Sequence, residues 1–158
     1  ILAFFPKFYS GIDAGMLALL AAEQCHAVFR KTYREYRSCF TTVRTDAGLG
    51  IGIDYGQVAL VSVGDTLTVV GKPVVYACRL GAAPAGMTYI NQQAQSELVK
   101  NFAAYYTFAE HEVDFKNEGS FLAYCVQTNG QPFTPKDPPW LTENASAKAN
   151  RTAETPVT

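Results

Sequence analysis

Residues 49–54, Leu49-Gly50-Ile51-Gly52-Ile53-Asp54, decide how this chain folds. Strict alternation marks a β-strand, because successive side chains of a strand point to opposite faces. Leu49, Ile51 and Ile53 fall on one face, and Gly50 and Gly52 on the other. A face without side chains lets another backbone, or a ligand, come close. Gly48-Leu49-Gly50-Ile51-Gly52 is not a dinucleotide fingerprint, because that motif opens a helix and this one lies inside a strand. Tyr55-Gly56 reads as a tight turn, and Gln57–Val63 as the returning strand of a hairpin.

Downstream, Leu67–Val70 is predicted as a strand. Gly71-Lys72-Pro73 then opens a helix carrying Val74, Val75, Ala77, Cys78, Arg79 and Leu80 and ending near Gly81, with Pro73 suited to the first turn. Met87–Ile90 reads as a strand and residues 91–103 as a helix. Residues 106–116 and 121–127 form a closing hairpin around Asn117-Glu118-Gly119. Upstream, Leu17, Leu20, Ala21, Cys25, Val28 and Phe29 recur at three- and four-residue steps, which predicts a helix from Asp13 to Arg37 with Asp13 as its cap. Arg30, Lys31, Arg34 and Arg37 crowd the end of that helix, where positive charge suits the dipole. Ile1–Phe5 reads as a short strand, and a strand with no partner before it predicts sequence upstream of Ile1. From Thr128 onward Asn, Gly, Pro, Thr, Lys and Ala dominate, so residues 128–158 are expected to be an extended tail anchored by Phe133 and Trp140.

A length of 158 residues suits one domain, and 48% hydrophobic against 17% charged residues is a globular balance. Thirteen basic and 14 acidic residues give a net charge of −1, which argues against nucleic-acid binding driven by a basic field. No unbroken run of about 18 apolar residues occurs, so no membrane-spanning helix is expected. Cys25, Cys39, Cys78 and Cys125 include no Cys-x-x-Cys pair. Their wide spacing predicts reduced, mostly buried thiols and a cytoplasmic address. Asn144-Ala145-Ser146 and Asn150-Arg151-Thr152 match the glycosylation pattern, a triplet common by chance. His26 and His111 stand without a nucleophile or carboxylate partner at catalytic spacing and read as structural or solvated.

Taken as an ordered set, Gly52–Val58, Val63-Gly64, Leu67–Gly71 and Val74–Leu80 resemble the catalytic domain of the class III nucleotidyl cyclases, the adenylate and guanylate cyclase family. Val113–Lys116 followed by Phe121–Tyr124 is similar to that family's closing hairpin, and Ile1–Phe5 to the strand after its second metal-binding Asp. The resemblance covers residues 1–127 and leaves residues 128–158 as the tail. It implies an α+β fold: a ferredoxin-like cyclase palm with a mixed, mostly antiparallel sheet and helices on one face. It also implies conversion of ATP to cyclic AMP and pyrophosphate with Mg²⁺ or Mn²⁺, GTP being the competing nucleotide. The site would be completed by a second copy in a homodimer. No membrane insertion by this chain is implied.

Residue by residue, the resemblance assigns Arg79 to the arginine that stabilises the transition state, where a guanidinium meets phosphate oxygens. Lys116 aligns with a phosphate-binding lysine, and Thr68 with a base-selecting position. Each has a structural alternative: a helix-surface arginine in a salt bridge, a strand-end lysine in water, an ordinary β-former. Val75 stands where the family has an Asn that contacts the transition state, and Lys72 where Asp is common. The loop Gly64-Asp65-Thr66 is shorter than the family's usual one, and the two metal-binding aspartates would precede Ile1; Asp13, Asp46 and Asp54 do not match them. An alternative reading is a catalytically degenerate cyclase homology domain acting as a dimerising or nucleotide-sensing regulatory module. A third is a fold-level likeness used for protein contacts.

Overall fold

The computed structural model of the chain describes residues 1–115 and 118–136. Four α-helices span Lys7–Ser10 (α1), Ala14–Glu35 (α2), Lys72–Leu80 (α3) and Gln92–Phe102 (α4) among these residues. The strands are Ile51–Ile53 (β1), Ala59–Val63 (β2), Thr66–Val70 (β3), Thr88–Asn91 (β4), Tyr106–Phe115 (β5) and Gly119–Thr128 (β6). One sheet has the order β1-β4-β6-β5, and β2 with β3 makes a separate two-stranded ribbon. β1 runs parallel to β4, while β4–β6 and β5–β6 are antiparallel. The chain is thus α+β with a mixed sheet.

The glycine face of β1 is filled by the chain's own backbone. A Cβ on Gly52 would lie 2.2 Å from the Ala77 carbonyl oxygen, and one on Gly50 would lie 2.1 Å from that of Ala83. The end of α3 and the turn after it rest directly on the strand. This face is therefore interior, and it is not open to a ligand or to a second copy. The expected hairpin between β1 and residues 57–63 does not form. The Asn91 side chain binds both Tyr55 backbone groups, accepting from its N–H at 3.2 Å and donating to its carbonyl at 3.1 Å. The chain leaves β1 there, and the ribbon and α3 form the crossover that a parallel β1–β4 pair requires. β2 instead pairs with β3 around Gly64, whose φ of 59° suits a glycine.

Helices cover both faces of the sheet, which corrects the expectation of one covered face. Adjacent β4 residues Tyr89 and Ile90 are 7% and 0% exposed and point to opposite sides. Ile90 packs with Met16 and Leu19 of α2, Leu98 and Phe102 of α4, and Tyr124. Tyr89 packs with Leu80 of α3, Phe115, Ala123 and Cys125.

Other expectations also change. Residues 1–6 form no strand, because no described strand pairs with them. Asp13 sits at the start of α2 but does not cap it. A 3₁₀ turn, Gly11–Asp13, leads straight into the helix with Asp13 in helical conformation. Its buried carboxylate accepts instead from the Lys136 backbone N–H at 3.1 Å. Phe133 meets Phe102 and Tyr105 edge-on, at 5.6 and 5.4 Å between ring centroids, so it anchors a stretch whose other described residues, 128–132 and 134–136, are exposed. Trp140 and both glycosylation triplets lie outside the described residues. Cys25, Cys39 and Cys78 are exposed and only Cys125 is buried, so the thiols are free but not mostly buried. By length and composition alone, the helical stretch Lys7–Glu35 is apolar enough to cross a membrane, a property that the core helix of a soluble protein shares. Met16 and Leu19 of that stretch belong to the core.

Because Gly52 touches backbone that cannot rotate aside, Gly52→Ala is expected to lower stability by about 3 kcal/mol, the upper part of the overpacking range. Val63→Thr on the exposed ribbon should shift it by about 0.5 kcal/mol or less. Urea unfolding of both variants measures the contrast, and equal effects would mean that α3 does not depend on the glycine contact.

Candidate functional site

α3 begins after Gly71 with Pro73 in its first turn, and its one fully buried anchor is Leu80, at 0% exposure. Lys72, Val75 and Arg79 stand at spacings of three and four residues and so share a helix face. Lys72 is exposed, Val75 is 49% exposed, and the Arg79 side chain is 33% exposed. A valine at half exposure offers no polar group, so the polar donors of this face are the Arg79 guanidinium and the Lys72 ammonium.

Arg79 is not free in solvent. Its Nη1 is ion-paired with Oε2 of Glu118, just before β6. The Tyr76 hydroxyl donates to the same Oε2 at 3.3 Å. The guanidinium lies 5.7 Å from the Tyr76 ring centroid and 5.6 Å from that of Phe115, within cation–π range. Phe121 stacks on Tyr76 at 5.3 Å and on Phe115 at 5.4 Å, completing an aromatic floor. The hydrogen bond from Arg79 holds the Glu118 carboxyl below the usual carboxylate range, and the same bond raises Arg79. The salt-bridge alternative for Arg79 is therefore present in the structure.

Lys116 lies outside the described residues. Thr68 is half-buried in the ribbon opposite Val61, and among the described residues no hydrogen bond or ion pair joins it to α3. His26 and His111 behave as structural groups. His26 Nε2 is 3.0 Å from Thr88 Oγ1, and burial lowers its pKa with help from Arg30. His111 stacks on Tyr89 at 5.3 Å.

Two features escaped the sequence. One is Glu118, which the turn Asn117-Glu118-Gly119 offered only as a loop residue. The other is the end of the parallel pair, where β1 and β4 stop side by side and bring Asp54 to Asn91. Asn91 caps α4 by accepting from the Ala94 N–H at 2.8 Å, and it also donates to Gln93 Oε1 at 2.9 Å. Burial pushes the Asp54 carboxyl up to about 6, opposed by its hydrogen bond with Asn91. Among the described residues no group of three or more His, Cys, Asp and Glu side chains could hold a metal ion, and the aspartates to which the resemblance gives that role would precede Ile1.

Asp54 ties stability to pH. Between the ordinary carboxylate value and about 6, the folded chain keeps a proton that the unfolded chain has released. Stability contributed at this position therefore falls as pH rises through that window and levels off above it. Asp54→Asn should flatten the dependence between about pH 4 and about pH 6, and raise stability near neutral pH by about 1 kcal/mol after discounting for partial exposure. Urea midpoints across that range test this, and an unchanged slope in Asp54→Asn would remove Asp54 as the cause.

Compared with models of known protein families and with curated proteins, the chain matches none.

Proposed function

We propose that the chain is a nucleotidyl cyclase-type domain whose α3 meets the phosphates of ATP, or of GTP, through Arg79. One observation carries this reading. Arg79 is drawn from α3 against the β5–β6 connection, the segment of sequence that also contains Lys116. Lys116, the other residue to which the resemblance gives a phosphate contact, lies outside the described residues and precedes Glu118 by two positions in sequence. The proposed reaction is attack of the ribose 3′-oxygen on the α-phosphorus. It forms the cyclic ester, releases pyrophosphate and gives up the hydroxyl proton. Arg79 would stabilise charge building on the phosphate oxygens. Mg²⁺ or Mn²⁺ would be held by aspartates that the resemblance puts before Ile1. Thr68 would select the base from the separate ribbon of β2 and β3. A cytoplasmic location belongs to the same proposal.

A second copy would complete the site. The ribbon supports this pairing: Val61, Val63, Leu67 and Val70 are 40%, 65%, 67% and 54% exposed, and an isolated two-stranded ribbon is marginal in water. The glycine face is excluded from that contact because α3 already covers it. The degenerate, regulatory reading has its own support in Val75, which cannot replace the family's Asn, and in the engagement of Arg79 by Glu118.

The deciding assay uses the full-length protein with Mn²⁺ and ATP. Arg79→Ala should lower cyclisation by about two orders of magnitude with the fold retained by circular dichroism. Val75→Asn should raise it. No turnover in the parent and none in Val75→Asn would favour the regulatory module, and unfolding of Arg79→Ala would make Arg79 structural. Sedimentation over a range of concentrations should show a two-fold dimer. Monomer throughout, with and without ATP, would count against the split site.

A further inference from the structure

We infer that Glu118 is a built-in competitor of the phosphate ligand, a latch that holds Arg79 until a nucleotide displaces it. The inference rests on the reading of Arg79 as a phosphate-binding group. Three observations carry it. The Arg79 atom that pairs with Glu118, Nη1, is itself buried, so neither solvent nor a phosphate oxygen reaches it in this conformation. The guanidinium lies over the Tyr76 and Phe115 rings, whose centroids are 5.9 Å apart, so both rings support it from one side and the opposite side faces away from the aromatic floor. The Tyr76 hydroxyl hydrogen-bonds the same carboxylate oxygen, so the carboxylate is held from two sides.

An arginine edge matches one carboxylate or one phosphate in the same planar geometry. The two anions therefore compete for one position. Glu118 can yield it: its side chain is 42% exposed, and it precedes Gly119, whose φ of 83° belongs to a turn at the start of β6. A partly exposed ion pair is weak, whereas a triphosphate brings several negative charges. Displacement by a nucleotide is thus favourable, while a singly charged anion gains little over the resident carboxylate. The latch would set a threshold: it lowers affinity for every phosphate ligand and discriminates against those of low charge.

The test is a double-mutant cycle in the full chain, with ATP and inorganic triphosphate as probes and binding followed by calorimetry. Glu118→Gln removes the charge and keeps a hydrogen-bonding oxygen for Tyr76. It should tighten both probes about fivefold, the upper end for an exposed pair. In an Arg79→Ala background, Glu118→Gln should change affinity much less, because the latch has nothing to release. Tyr76→Phe, which loosens the carboxylate without changing any charge, should tighten ATP by a smaller factor and serves if Glu118→Gln fails to fold. Equal tightening by Glu118→Gln in both backgrounds would reduce Glu118 to general repulsion and overturn the latch. If the parent binds ATP and Arg79→Ala weakens it while Glu118→Gln and Tyr76→Phe do nothing, the latch falls and the nucleotide reading stands. Absence of ATP and triphosphate binding in every form would bring down both.

Discussion

The close approach of α3 to β1 organises the molecule. Gly50 and Gly52 have no side chains, so carbonyl oxygens of Ala77 and Ala83 occupy the space where a Cβ would be. No other residue type permits that spacing. The contact fixes the height of α3 over the sheet and leaves room for Leu80 to reach Tyr89, Ala123 and Cys125. With α3 on one side and α2 and α4 on the other, β4 is buried on both faces. The same contact turns the α3 face bearing Arg79 toward Phe115 and Glu118.

Much of this was legible in the sequence wherever information was local. The alternation at residues 49–54 marked a strand, the apolar steps from Leu17 to Phe29 marked α2, and Pro73 marked the opening of α3. The pairing of β1 was not legible, because a turn signal says where the chain bends and not which strand it joins. Tyr55-Gly56 looked like the corner of a hairpin, yet Asn91, distant in sequence, binds the Tyr55 backbone and redirects the chain. Asp13 failed as a cap for a similar reason. Its residue type fits the role, but a 3₁₀ turn removes the extended geometry that a capping side chain needs. At the site, Arg79 could be picked out from its motif, whereas Glu118 became visible only when the β5–β6 connection came to lie beside α3.

The carboxylates of Glu118 and Asp54 show how one chemical group takes opposite characters. Glu118 faces a guanidinium and a hydroxyl and is held ionised. Asp54 follows β1 directly, beside Asn91 at the end of β4, and is burdened chiefly by burial, with only an amide to help it. Charge compensation, rather than proximity to solvent alone, separates them.

The bond between Asp13 and the Lys136 backbone joins residues that are 123 positions apart. Synthesis proceeds from the N-terminus, so α2 emerges long before its partner segment exists. Until residue 136 has left the ribosome, the Asp13 carboxylate has no backbone donor to accompany it into the interior. A buried polar group without a partner costs about 1–3 kcal/mol. The segment around residues 133–136 therefore completes the packing at the start of α2, through the Lys136 N–H and the edge-on contacts of Phe133 with Phe102 and Tyr105. A chain cut before residue 133 would leave the Asp13 carboxylate and the Phe102 and Tyr105 rings without these partners.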